Sequence, residues 1–208
     1  VIYNNSVNDL KARFNTGTVE VGDEIILGGS ARFLTYFSFE FWGTSTDPNS
    51  FAGNVQARVK FYVNNGGLDA NNHVTPGYCF YNSDWFDVSS PTARSTFVFT
   101  AGSDCIPSGG LWIPANSMTW SIQFQGMGDG DAVGVDLYCP PLVGQNYDDY
   151  WANNILDGWT LLNNSEAPNG QMDFGAYMEA VPEPSTIALS LIGGLGILAV
   201  TRRLRRKD

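Results

Sequence analysis

The chain has 208 residues, of which 43% are hydrophobic and 15% charged, with a formal net charge of −10. That length fills one domain well, or at most two small ones. Residues 1–181 carry 6 basic and 19 acidic groups, a net of −13, which argues against nucleic acid or an anionic membrane surface as a partner for that part.

In chain order, the first predicted strand is "TVEVGDEIIL", with a turn at Gly22-Asp23. "ARFLTYFSFEFW" then alternates with period two, so Ala31, Phe33, Phe37, Phe39 and Phe41 share one face, with Thr35 among them. In "VQARVKFYV", Val55, Ala57, Val59, Phe61 and Val63 face one way, and Gln56, Arg58, Lys60 and Tyr62 the other. "STFVF" is a weaker strand signal. "MTWSIQFQG" sets Trp120, Ile122 and Phe124 against polar neighbours, and "AVGVDLYC" does the same with Val133, Val135 and Leu137. "DDYWANNILDGW" has room for one helical turn, and "QMDFGAYMEAV" is a last, weaker strand. Loops rich in Gly, Asn, Asp and Pro separate these runs.

Some eight short strands with such punctuation, and no strand–helix alternation, predict an all-β fold. It is a single antiparallel β-sandwich, jelly-roll-like or immunoglobulin-like, over residues 1–178.

The body offers few groups for catalysis. His73, the only histidine, sits in the loop "LDANNHVTPG" and reads as a solvated side chain. Glu40 would suit a glycosidase carboxylate pair if its face were covered, but it alternates with the Phe stripe and so is expected on the solvent side. A polysaccharide-active enzyme is therefore the weakest of three functional readings. Cys79, Cys105 and Cys139 match no zinc spacing; one disulfide with one spare thiol, or three reduced thiols, are both open. "GMGDGDAVGVD" gathers Asp129, Asp131 and Asp136 as weak calcium candidates, and "YDDYW" is a second. The plainer reading of the first is an acidic hairpin turn, so no cofactor is expected. Tyr36, Trp42 and Tyr62 lie opposite the apolar stripes of their strands, where an exposed patch would suit a glycan such as exopolysaccharide. Burial beneath a loop is the plainer alternative. Asn4-Asn5-Ser6 and Asn163-Asn164-Ser165 match the glycosylation sequon, which carries little weight here.

The chain closes with "VPEPSTIALSLIGGLGILAVTRRLRRKD". Ile187 to Val200 contains no charge and would form a helix about 21 Å long, short against a hydrocarbon core of ~30 Å. Counting from Pro184 to Thr201, with snorkelling arginines, it nears the spanning minimum. Arg202, Arg203, Arg205, Arg206 and Lys207 follow at once and mark the cytoplasmic side. The expected layout is a linker over 179–186, a transmembrane helix over 187–201 and a basic cytoplasmic tail over 202–208. The body then lies outside the cytoplasm, and this topology requires an export signal that has been removed or trimmed ahead of Val1. Pro182 and Pro184 hold the segment around Glu183 extended and solvated, as a peptidase cleft needs.

"VPEPST", the short Gly-bearing apolar run and "RRLRRK", in that order, resemble the PEP-CTERM sorting signal of Gram-negative bacteria. The Gram-positive sortase signal shares the plan but needs Leu-Pro-x-Thr-Gly, and a plain uncleaved anchor shares only the helix and the cations. The resemblance implies recognition by an exosortase, a membrane cysteine peptidase, and cleavage near Pro182–Pro184. It also implies delivery of the body to the cell surface or exopolysaccharide matrix. "VGDEIIL", "VKFYVNNGG", "TWSIQFQG", "DLYCPP" and "DDYWANN…GWTLL" further resemble ectodomains that accompany this signal, which implies an extracellular all-β module. The resulting expectation is a non-enzymatic structural or adhesive module, with a lectin-like glycan binder as the alternative.

Overall fold

The computed structural model describes residues 1–103, 106–154, 156–163 and 167–183. Among these the fold is all-β, in two antiparallel sheets, with one short 3-10 turn at Pro168–Gly170. Strands are numbered in chain order. The first sheet holds β1 (Tyr3–Asn5), β2 (Asp9–Asn15), β4 (Phe33–Thr44), β8 (Thr92–Thr100), β9 (Leu111–Trp112), β11 (Ala132–Tyr138) and β15 (Ala176–Val181). The second holds β3 (Glu20–Ile26), β5 (Gln56–Val63), β6 (Cys79–Asn82), β7 (Phe86–Asp87), β10 (Ser117–Gln125), β12 (Gln145–Asn146), β13 (Tyr150–Asn154) and β14 (Gly158–Leu162).

The long strand β4 organises the first sheet. Phe37 pairs with Met178 of β15 on one edge and Phe99 of β8 on the other. Phe41 pairs with Val135 of β11 opposite Ser95 of β8. β15 and β11 therefore lie end to end along one edge of β4, with β1 outside β15 and β2 outside β11. In the second sheet β10 sits between β3 and β5 in a continuous register, from Met118 against Ile25 and Val63 to Ile122 against Val21 and Val59.

Alternation places the inward-facing aromatic residues of both sheets in one core. Phe37 meets Phe61 at 5.0 Å and Trp120 at 5.4 Å between ring centroids, and Phe39 meets Trp120 at 5.9 Å. Phe37, Phe39, Phe61 and Trp120 are fully buried, and each contributes ~1.5–3 kcal/mol of transfer free energy. As expected, the stripes Val55, Ala57, Val59 and Phe61; Trp120, Ile122 and Phe124; and Val133, Val135 and Leu137 all belong to this core.

Three local expectations need correction. On β4 the inward stripe does not begin at Phe33. Tyr36 pairs with Glu179 and Leu34 with Ala180, so Thr35 is an extra residue on the β4 side of a bulge. The phase flips there: Leu34 is buried in the core, while Phe33 packs against the exposed Trp112 at 5.2 Å. Gly22-Asp23 is not a turn but the middle of β3, with Asp23 paired to Trp120 and fully buried. Gly22 is needed there because a Cβ would come within 2.6 Å of Thr119 Cγ2. The stretch around Tyr150–Leu162 holds a hairpin instead of a helical turn: β13 pairs with β14 and, through Trp151 to Asn153, with β3.

Candidate functional site

The segment that leads into the C-terminal signal starts inside the sheet. β15 pairs with β4 as far as Val181, which opposes Phe33, three residues past the expected end of the domain at Met178. On its other edge Met178 opposes Tyr3 of β1, and the Ile2 N–H donates to the Met178 carbonyl at 2.9 Å. Pro182 and Glu183 follow directly and are exposed. Pro182 supplies no N–H to extend the ladder, which fits a strand that stops at Val181. Pro184, the expected span over 187–201 and the basic residues Arg202, Arg203, Arg205, Arg206 and Lys207 lie outside the described residues. No helix among the described residues is long and apolar enough to cross a membrane.

The proposed glycan aromatics do not form one patch. Tyr36 and Trp42 are on β4 in the first sheet, whereas Tyr62 is on β5 in the second. Trp42 is buried over Gly134, with the Arg13 guanidinium 5.6 Å from its ring centre. Tyr36 is half-buried and packs edge-on against Tyr177 at 5.7 Å. Tyr62 is buried beside Trp159 at 5.3 Å, and its hydroxyl donates to Glu20 Oε1 at 2.8 Å. Burial and the Glu20 carboxylate both raise the Tyr62 pKa.

Asp129, Asp131 and Asp136 also take separate roles. Asp131 Oδ1 accepts the Ala52 N–H at 2.9 Å, and its Oδ2 accepts those of Gly53 and Gly128 at 2.9 and 2.8 Å. Burial pushes this carboxyl up, but the bonds from Ala52, Gly53 and Gly128 outweigh it and hold it down at about 2. Both oxygens face N–H donors, a poor arrangement for calcium. Asp136 is buried on the outer side of β11, 3.7 Å from both Arg13 Nε and Arg94 Nε. Asp129 is exposed at the hairpin tip. Glu40 is partly exposed and accepts the Thr96 hydroxyl at 2.7 Å, and His73 is exposed beside Asp69 at 3.1 Å. Cys79 and Cys139 are free thiols.

Two constellations emerge that local sequence did not show. On the outer face of the second sheet, Thr119 Oγ1 donates to Asn64 Oδ1, Asn64 Nδ2 to Ser117 Oγ, and Ser117 Oγ to Glu24 Oε1, at 2.8, 2.9 and 3.0 Å. This relay borders an open cleft of about 620 Å³ that is also lined by His73, Tyr147, Asp149 and Trp151. Period-two spacing of Glu20 and Glu24 in β3 was the available signal for a polar face. Elsewhere, Cys139 Sγ and carboxylate oxygens of Asp148 and Asp173 lie within 4.8 Å of one another. Asp148 belongs to the "YDDYW" stretch, but its partners come from distant loops.

No curated protein and no solved structure matches the chain. The family model of the PEP-CTERM protein-sorting motif matches residues 180–206, which covers the last residues of β15, the exposed Pro182-Glu183 step and nearly all of the tail. That motif implies recognition by an exosortase and export through a membrane-anchored precursor. The chain thus carries a PEP-CTERM protein-sorting motif at residues 180–206, joined without a spacer to an all-β body.

Proposed function

We propose that this is a surface- or matrix-associated structural or adhesive protein of a Gram-negative bacterium, delivered by exosortase processing of its C-terminal signal. The body is read as a sandwich, jelly-roll-like or immunoglobulin-like, that folds as one unit and is left outside the cell once the signal has been processed. The observation that carries this reading is the junction at Val181. β15 is held between β1 and β4 as far as Met178 and by β4 alone to Val181, and the next two residues, Pro182 and Glu183, are exposed. A peptidase can therefore engage the proline segment without unfolding the body.

The test is substitution of Pro182 and Pro184 by Ala in the host. Full-length precursor should accumulate in the membrane, while the parent yields a shortened body in the matrix fraction by intact mass. Processing and release of the variant at the parental level overturns the reading.

A second reading, a lectin-like module for exopolysaccharide, is favoured by the cleft beside Glu24, Asn64 and Ser117, where polar groups stand next to the half-exposed Tyr147. Host exopolysaccharide should then quench tryptophan fluorescence in the parent and not in Asn64→Ala. An unchanged parental spectrum counts against it.

A further inference from the structure

The cluster of Cys139, Asp148 and Asp173 has features that packing alone does not explain. Asp173 is fully buried, and neither of its carboxylate oxygens has a hydrogen-bond partner among the described residues. Cys139 and Asn146 face it without reaching hydrogen-bond geometry. Behind it, Asp23 is equally buried; its Oδ2 accepts the Phe174 N–H at 3.0 Å, while Oδ1 has no partner. The buried Tyr3 hydroxyl lies within electrostatic reach of Asp23, Asp173 and Cys139, and it too is unpaired. The neighbouring charges that act on Asp173 come from Asp148 and Asp149, so they are also negative.

Unpaired carboxylates in a dry interior cost several kcal/mol unless a proton or a cation accompanies them. Nearly all buried polar groups in folded proteins find a partner, so a focus of unsatisfied oxygens around one point calls for an occupant. A thiol and two carboxylates at this spacing supply three protein ligands, the number used by tetrahedral sites that keep a fourth position for water. Calcium asks for six to eight oxygens and gains nothing from sulfur. Asp148 is exposed at the rim and gives an entry path, whereas Asp173 forms the buried floor.

We propose that Cys139 Sγ, Asp148 and Asp173 bind a thiophilic divalent cation of the zinc class, which ties together the loops after β11, after β12 and before β15. Binding converts the Cys139 thiol to a thiolate, and the displaced proton leaves to solvent. The site does not depend on the sorting or glycan readings.

The probe is Co2+, added to the full chain purified in detergent without chelator. One equivalent should produce a thiolate-to-cobalt charge-transfer band that excess Zn2+ abolishes. Cys139→Ser should remove the band and Cys79→Ser should leave it. Asp148→Asn changes an exposed side chain and keeps the fold, as its circular dichroism will verify; it should weaken Co2+ binding more than about tenfold. Absence of a band in the parent, its persistence in Cys139→Ser, or full affinity in Asp148→Asn overturns the proposal. A rise in melting midpoint with Ca2+ but not Zn2+ also overturns it, because an all-oxygen site would then be present instead.

Discussion

Lys60 Nζ stands 2.8 Å from Glu20 Oε2 on the outer face of the second sheet, with both charged heads largely shielded from water. The other oxygen, Oε1, accepts the hydroxyls of Tyr62 and Ser121 at 2.8 and 2.7 Å. Glu20 is thus an acceptor hub joining β3, β5 and β10. Its removal strands an ammonium and two hydroxyls at once. Glu20→Ala should destabilise the body by about 3–5 kcal/mol in urea unfolding, while Glu20→Leu with Lys60→Met should recover most of that loss. Burial alone would raise the Glu20 pKa, but the bonds from Lys60, Ser121 and Tyr62 outweigh it and lower it. A lowered carboxylate stabilises above its unfolded pKa, and that contribution disappears as pH falls through the folded value. The parent should therefore lose stability in acid more steeply than the double variant.

Asp136 should show the opposite pH dependence. Burial pushes its carboxyl up to about 6, against the pull of Arg94 and Arg13. The folded state holds this proton more tightly than the unfolded chain does. The associated stability is complete below the unfolded value near ~4 and is lost as pH rises through about 6. Relative to Asp136→Asn, the parent should lose on the order of 2–3 kcal/mol between pH 4 and 6.5. Parallel stability curves for the two proteins would contradict this.

Two glycines should respond very differently to alanine. A Cβ on Gly134 would overlap the Phe14 carbonyl oxygen and press on Trp42 Nε1, so β2, β11 and the Trp42 ring would all have to shift. A Cβ on Gly67 meets nothing within 4 Å. Gly134→Ala is expected to cost about 3 kcal/mol. Gly67→Ala should stay within about 0.5 kcal/mol of the parent. Thermal unfolding of the two variants side by side makes the comparison.

Asp131 acts as a fastener between the loop at Ala52-Gly53 and the hairpin at Gly128. Asp131→Asn replaces one acceptor oxygen by an NH2 group that would face N–H donors. Amide exchange at Ala52, Gly53 and Gly128 should accelerate in this variant almost as much as in Asp131→Ala, and core amides such as Ile122 should be unaffected. Protection at all three loop amides in Asp131→Asn would show that the carboxylate is not what closes the loop.

Legibility of this protein in its sequence follows the range of the interactions. β5, β10 and β11 are plain in the text because period-two alternation is local. The bulge at Thr35 is not, because it is defined by how Leu34 and Tyr36 meet β15 at the far end of the chain. Gly22-Asp23 has the local composition of a turn, but β10 pairs there and draws both into a strand. Alternation sets Trp42 and Tyr62 opposite the core stripes of their strands, but it does not show that β4 and β5 belong to different sheets. The sorting motif was readable because its parts are contiguous. The Cys139–Asp148–Asp173 cluster was not, since only the packing of β11, β13 and β15 brings its members together.

The position of β15 also governs how the body bears force. A pull along the axis of β15 acts on a strand flanked by antiparallel neighbours on both sides. In that direction the crosslinks to β1 and β4 are sheared together and must rupture as a group, whereas a peripheral strand peeled sideways would release them singly. Load carried along the last strand would thus be shared by two hydrogen-bonded ladders at Ala176–Met178 and by one at Ala180 and Val181.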